Sequence, residues 1–285
     1  GEMARRPGRV RPLKLLYGIN LYGTSKDYIL SAFVEMMKAC VVGTPGVEIV
    51  TFGHRSPDFP EEPVRTFFGE HLWVECGPVG GRQYAEDILL VTREMIRQYA
   101  IDNEFDAFVW AGVDALYEDR DGFETMVDNI SRPDVHVCAP IITGRQEDRI
   151  VCRRFNKSLP YETTQYVADT QYDVPRDELQ KAEKEGALVS SGFTNGDQLF
   201  VSKEAMELTW SGVNYVPWYE RQGSGPAPLC CGEWWCQQAV IHFGQTWTDP
   251  SVKMWHVDES LDARKPYDIV KRLGDLSWPP VCSSA

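Results

Sequence analysis

The sequence is short of positive charge: 29 lysines and arginines stand against 42 aspartates and glutamates, a formal net charge of −13. A surface that grips nucleic acid needs the opposite balance, because phosphate contacts rest on Lys and Arg. No apolar run approaches the roughly 18–20 residues that cross a bilayer, so no membrane span is expected. The first residues also lack the apolar core of a secretory leader, and a cytoplasmic location is expected. None of the eight cysteines forms a C-x-x-C pair. Cys230, Cys231 and Cys236 cluster, but without the regularly spaced further ligands of a zinc site. Cys40, Cys76 and Cys138 lie in apolar runs and read as buried, reduced thiols. No internal repeat is found.

What is present is enough for a large core. The chain has 285 residues, of which 43% are hydrophobic and 12% aromatic, so neither disulfide nor metal is needed to hold it together. Its basic residues concentrate in "MARRPGRVRPLK", with Arg5, Arg6, Arg9, Arg11 and Lys14. Residues 1–12 read as a flexible basic tail.

Beyond the tail, strand-like and helix-like segments alternate. "LKLLYGINLYG" reads as a first strand, and "SKDYILSAFVEMMKACVVG" carries apolar residues at helical spacing. "VEIVTFG" and "HLWVECG" are further strands, and "GGRQYAEDILLVTREMIRQYAIDNE" is a long amphipathic helix. "FDAFVWAGVDALYED", Phe105 to Asp119, is a buried strand running into acid; a helix "GFETMVDNI" and a strand "VHVCAPIIT" follow. "ITGRQEDRIVCRRFN" reads as a β-hairpin, "RDELQKAEKEG" as a helix, and "QTWTDPSVKMWHVD" as one or two last strands. Such alternation predicts an α/β fold with a mostly parallel central sheet flanked by helices and a smaller mixed β portion in the second half. One domain is expected over residues 13–258, with halves at about 13–145 and 146–258, followed by a helix and tail at 259–285. In parallel sheets ligands collect beyond the carboxyl ends of the strands. Asp114 falls at that edge, and Glu118, Asp119 and Asp121 read as solvated acids leading into the next helix.

The order of these pieces resembles the GT-A fold glycosyltransferases, which use nucleotide-sugar donors. The likeness is carried by weak motifs in sequence order. They are the open strand end "LLYGINLYG", the arginine of "LLVTREMIRQYA", and the strand of Phe105-Asp106 that leads to an Asp-x-Asp position. "SSGFTNGDQLFVSKEAM", "CGEWWCQQAVIHFG" and "VKMWH" come next. Two departures stand out: Gly112 replaces the first aspartate of Asp-x-Asp, and Gly232 replaces the first acid of the x-Glu-Asp motif. The resemblance implies a metal-dependent transferase that moves a sugar from a nucleoside-diphosphate sugar, with a UDP-sugar favoured, to an acceptor hydroxyl. It implies Asp114 and His256 as ligands of Mn2+ or Mg2+, with imidazole leaning toward manganese. It implies Glu233 as the base of an inverting reaction.

Asn20, Tyr22, Gly23, Arg82, Arg93 and Gly112 are expected around the donor nucleotide. Asn195, Gly196, Asp197, Trp218 and Trp234 are expected around sugar and acceptor, which is a protein, a glycan or a modified nucleobase. Two other readings remain open. One is a nucleotidyltransferase, for which "GINLYGTSK" would have to serve as the phosphate loop. The other is a catalytically silent sugar- or nucleotide-binding protein, to which Gly112 and Gly232 point.

Overall fold

The computed structural model describes residues 12–22, 27–54, 73–75, 85–143, 152–155, 171–192, 198–207, 236 and 239–257. Its first half contains β1 (Leu15–Tyr22), α1 (Asp27–Cys40), β2 (Val47–His54), β3 (Trp73–Glu75), α2 (Ala85–Asp102), β4 (Ala107–Gly112), β5 (Ala115–Tyr117), α3 (Gly122–Ile130) and β6 (Val137–Thr143). The second half adds β7 (Arg153–Phe155), β8 (Gln171–Asp173), α4 (Arg176–Glu185), β9 (Val189–Ser191), β10 (Gln198–Ser202), α5 (Lys203–Met206) and β11 (Thr246–His256).

Nine of these strands form one sheet in the order β3-β2-β1-β4-β10-β6-β11-β5, with β9 pairing β11. Strands β3, β2, β1, β4, β6 and β11 run one way, and β10, β5 and β9 run against them. The sheet is therefore mostly parallel, as the alternation of elements predicts. Parallel neighbours need a crossover, which α1 supplies between β1 and β2, while α2 lies in the chain between β3 and β4, which run parallel at separate places in the sheet.

Both faces of the sheet are covered, which is why its strands read as unbroken apolar runs rather than as alternating ones. Leu15, Tyr17, Ile19 and Leu21 of β1 pack with Phe33, Met36 and Met37 of α1 and with Phe123, Met126 and Ile130 of α3. Leu16 of β1, with Val50, Phe108, Trp110 and Leu199, faces the other way, onto Ile96 and Ala100 of α2. Gly18 lies where α2 comes closest, since a Cβ there would stand 2.5 Å from Cγ2 of Ile96. At the start of β2, Gly46 has φ +80° and accepts a hydrogen bond from the Leu15 amide at 2.9 Å. A Cβ on it would meet the Leu13 carbonyl oxygen at 2.2 Å. Gly46→Ala is expected to cost about 2–4 kcal/mol, read as a lowered urea midpoint, because the clash is with backbone and the φ is left-handed.

Most of the hairpin expected over "ITGRQEDRIVCRRFN" lies outside the described residues. Of its described ends, β6 pairs with β10 and β11, and β7 pairs with β8 in a separate two-stranded sheet. Cys152 begins that excursion, its carbonyl accepting from the Val174 amide at 2.9 Å. The single strand read over Phe105 to Asp119 is two: β4 ends at Gly112, and Ala115–Tyr117 is a separate strand that pairs antiparallel with the end of β11.

Helix α4 is docked on this side by Leu179 and Ala182, which pack on Ile141, Cys152 and Val189. The Arg154 guanidinium adds a two-pronged contact to the Glu178 carboxylate and donates from Nε to the Ser190 carbonyl at 3.0 Å. Hydrogen bonding from Arg154 holds the Glu178 carboxyl below its usual range. A carboxyl with a depressed folded pKa stabilises above its unfolded value, near 4.5, and that contribution fades as pH falls through the folded value. The pair is partly exposed, so its worth is under about 1 kcal/mol. Glu178→Gln is expected to lower the urea midpoint slightly at pH 7, with the gap to wild type closing below about pH 4.

Candidate functional site

The carboxyl edge of the parallel strands brings two candidate residues together. β4 ends at Gly112, the chain turns through Val113 and Asp114, and β5 starts at Ala115. β5 is held against β11 with Ala115 opposite His256. Backbone bonds flank the pairing: the Val257 amide donates to the Asp114 carbonyl at 2.7 Å, and the Glu118 amide to the Lys253 carbonyl at 3.0 Å. In consequence Oδ2 of Asp114 lies 3.2 Å from Nε2 of His256, although 142 positions separate the residues in sequence. Both are buried, at 8% and 5% exposure.

The reach of β11 depends on an irregularity. Its register against β6 shifts between Asp249 and Lys253, opposite Pro140 and Ile141. Pro140 has no amide hydrogen, and a proline inside a sheet is tolerated at such a bulge. Asp249 stabilises the bulge, accepting at Oδ1 from the Ser251 amide at 2.9 Å and hydroxyl at 2.6 Å, and at Oδ2 from Asn129 at 2.6 Å.

One strand over, Asn20 pairs in register with Gly112 on β4 and with Phe52 on β2. It is 5% exposed, and its Oδ1 has no hydrogen-bond partner among the described residues. A buried acceptor left so costs about 1–3 kcal/mol, which a ligand's N–H or O–H would recover. Arg93 lies behind this edge on α2. Its backbone carbonyl accepts from Nε1 of Trp110 at 3.1 Å, and its guanidinium carbon stands 5.1 Å from the centre of the Trp110 ring. Gly112 is half-buried between Asn20 and the Asp114 turn.

Of the other expected residues, Tyr22 closes β1, and only its backbone is described. Gly23, Arg82, Asn195, Gly196, Asp197, Trp218, Glu233 and Trp234 lie outside the described residues. Of the acids after Asp114, Asp119 and Asp121 are exposed and Glu118 is half-buried.

Other polar residues tie the sheet together away from this edge or beneath it. Asp106 accepts at Oδ2 from the Lys14 amide at 2.9 Å, and its carbonyl takes the Lys203 amide at 2.9 Å, tying the starts of β1, β4 and α5 together. Arg97 is engaged by both oxygens of Glu94 and donates to the Met206 carbonyl at 2.7 Å. Gln198, wholly buried, meets the hydroxyls of Tyr17 and Tyr117. The only sequence sign of this last group is a glutamine opening the apolar strand "QLFVS".

The Asp114–His256 pair suits a divalent cation. Two donors each about 2.0–2.2 Å from one ion, at right angles, stand about 3 Å apart, close to the 3.2 Å found here. One carboxylate and one imidazole make a small donor set, typical of an ion that keeps substrate phosphate and water as its remaining ligands. Among the described residues, no group of three His, Cys, Asp or Glu converges on a point.

No protein-family profile matches the sequence, and no curated protein matches it. Solved structures do. The mannosyltransferase PcManGT from Pyrobaculum calidifontis, solved with GDP-Man and Mn2+, superposes with a TM-score of 0.51 at 14% identity over 90% of this chain. GalNAc-T7, solved with UDP, GalNAc and Mn2+, superposes with a TM-score of 0.50 at 13% identity over 92% of this chain. The fold is that of the GT-A glycosyltransferases. This chain spans 62% of the first structure's length and 48% of the second's. Within the GT-A fold, the Asp114–His256 pair occupies the carboxyl edge of the parallel strands, where open α/β sheets hold their ligands.

Proposed function

We propose that this protein is a metal-dependent glycosyltransferase that moves a sugar from a nucleoside-diphosphate sugar to an acceptor hydroxyl. The observation that carries the reading is the buried Asp114–His256 pair, 3.2 Å apart at the sheet edge of a GT-A fold. The two superposed structures hold Mn2+ with GDP-Man or with UDP and GalNAc, which supports Mn2+ over Mg2+ here.

Asp114 and His256 would hold the cation, which supplies neutralisation of charge on the leaving diphosphate. Burial of both side chains strengthens their electrostatic effect, since little water competes at the site. Asn20 offers its Oδ1, unpartnered among the described residues, to a nucleotide N–H or ribose hydroxyl, and the glycine at 112 leaves room for the nucleotide to lie against the sheet edge. A UDP-sugar is the donor proposed. Arg93, Tyr22, Gly23 and Arg82 complete the donor side.

On the acceptor side, Glu233 takes the proton of the attacking hydroxyl, which makes the transfer inverting. Asn195, Gly196, Asp197, Trp218 and Trp234 form the sugar and acceptor pocket.

Incubation with a panel of nucleotide sugars and Mn2+, assayed for released nucleoside diphosphate, tests the reading. Turnover of one or more sugar donors is expected. Turnover of nucleoside triphosphates instead, in a parallel panel assayed for released pyrophosphate, would make the protein a nucleotidyltransferase, and binding without turnover would make it a silent nucleotide-sugar binder.

A further inference from the structure

Beneath the Asp114 turn, inside the apolar core, sits a polar cluster that no other part of the account uses. Gln198 opens β10 and is wholly buried. Its Oε1 lies 3.2 Å from the Tyr17 hydroxyl and 3.5 Å from the Tyr117 hydroxyl, and its Nε2 donates to the Tyr17 hydroxyl at 3.1 Å. Burial raises the pKa of both phenols, so both stay protonated and keep their donors. The three residues come from β1, β10 and β5, strands that are not neighbours in the sheet order. Phe123 closes the cluster from α3, with its ring centre 5.4 Å from Tyr17 and 6.1 Å from Tyr117.

Every member sits close to the site in sequence or register. Tyr117 ends the three-residue strand that Asp114 precedes. Gln198 pairs with Ala111, one residue before Gly112, and follows Asp197 directly. Tyr17 lies three positions before Asn20 on β1. β5 has only three residues and, among the described residues, a single partner strand, β11. So short an edge strand holds few backbone bonds of its own, and a side-chain tether would add what the ladder lacks.

We propose that Gln198 is a positioning residue: with Tyr17 and Tyr117 it forms a buried clamp that fixes β5, and thereby Asp114, against His256. The inference rests on the metal reading of that pair, and it makes a claim about local order that can be measured without it. An apolar core would be at least as stable, because replacing all partners of a buried polar group by apolar ones of similar shape is nearly neutral. What the clamp adds is direction, since its hydrogen bonds specify one placement of the strand.

The test compares Gln198→Leu with the triple variant Gln198→Leu, Tyr17→Phe, Tyr117→Phe. The single variant strands two phenols and is expected to melt early. The triple variant should recover the wild-type melting temperature. If the clamp positions Asp114, the triple variant still exchanges the backbone amides of residues 113–118 at least tenfold faster. Its Mn2+ affinity, read by electron paramagnetic resonance, falls by a similar factor. A triple variant with wild-type exchange over 113–118 overturns the proposal, whatever Mn2+ does. If wild-type protein binds no Mn2+, the metal reading fails, and the exchange comparison still decides the clamp. A triple variant that stays as unstable as the single one also counts against it, because the cluster would then serve the core as a whole.

Discussion

Asp114→Asn is expected to cut donor turnover by about 1,000-fold or more while leaving the melting temperature nearly unchanged. The substitution preserves volume and a carbonyl oxygen in the place of Oδ2, so packing around the buried turn is kept. It removes the negative charge, which is what a divalent cation needs from a small donor set. Losing charge stabilisation of the leaving group costs several kcal/mol of barrier, and removal of even one fixed donor costs about 10²–10³ in rate. The same change is mild for folding because a buried carboxylate carries a desolvation cost that the neutral amide lacks. Parallel assays of Mn2+-supported turnover and thermal melting check this. Turnover within threefold of wild type would take Asp114 out of the reaction.

The largest stability effect is expected at Phe123, not at the site. Its ring, wholly buried on α3, is surrounded by Tyr17 at 5.4 Å, Tyr117 at 6.1 Å and Phe200 at 5.9 Å between ring centres. The Tyr17 contact is edge-on, with 79° between planes, a favoured aromatic geometry. Phe123→Ala would open a cavity bounded by three rings from separate strands, which cannot all move inward together. A loss of about 3–5 kcal/mol is expected, read from urea unfolding at neutral pH. A loss below about 1 kcal/mol would mean that the core around α3 collapses freely, contrary to the close packing found there.

Much of the fold can be read in the sequence because its parallel half follows local rules. "LLYGINLY" and "AFVWAG" are apolar at every position save glycine and Asn20, which is what strands buried on both faces require, and helices of crossover length join them. The helix "GFETMVDNI" has the bounds that its spacing predicts. The reading falls short where long-range pairing decides. Arg153–Phe155 pairs with Gln171–Asp173, a partner that no local pattern names. Ala115–Tyr117 has too few residues to carry any periodicity, and only its pairing with Met254–His256 makes it a strand.

The candidate site shows the same division. Asp114 and His256 stand at or just beyond a strand end, a local feature, and the sequence singles out both as candidates. Their contact depends on the bulge at Asp249–Lys253 and on the register of β5, neither of which has a local signal. Gln198 is the extreme case, since its two partners lie 181 and 81 positions away. The arginines at 153 and 154 are also paired at long range, since Arg153 meets Asp173 at 3.3 Å and Arg154 meets Glu178.

Whether the Asp114–His256 pair holds a cation for a nucleoside diphosphate is decided by a crystal soaked with UDP and Mn2+ and measured at the manganese absorption edge. The expected result is an anomalous peak within about 2.0–2.4 Å of both Asp114 Oδ2 and His256 Nε2, with a diphosphate oxygen on its open side. UDP bound with no metal at the pair, or a manganese peak elsewhere, would contradict it.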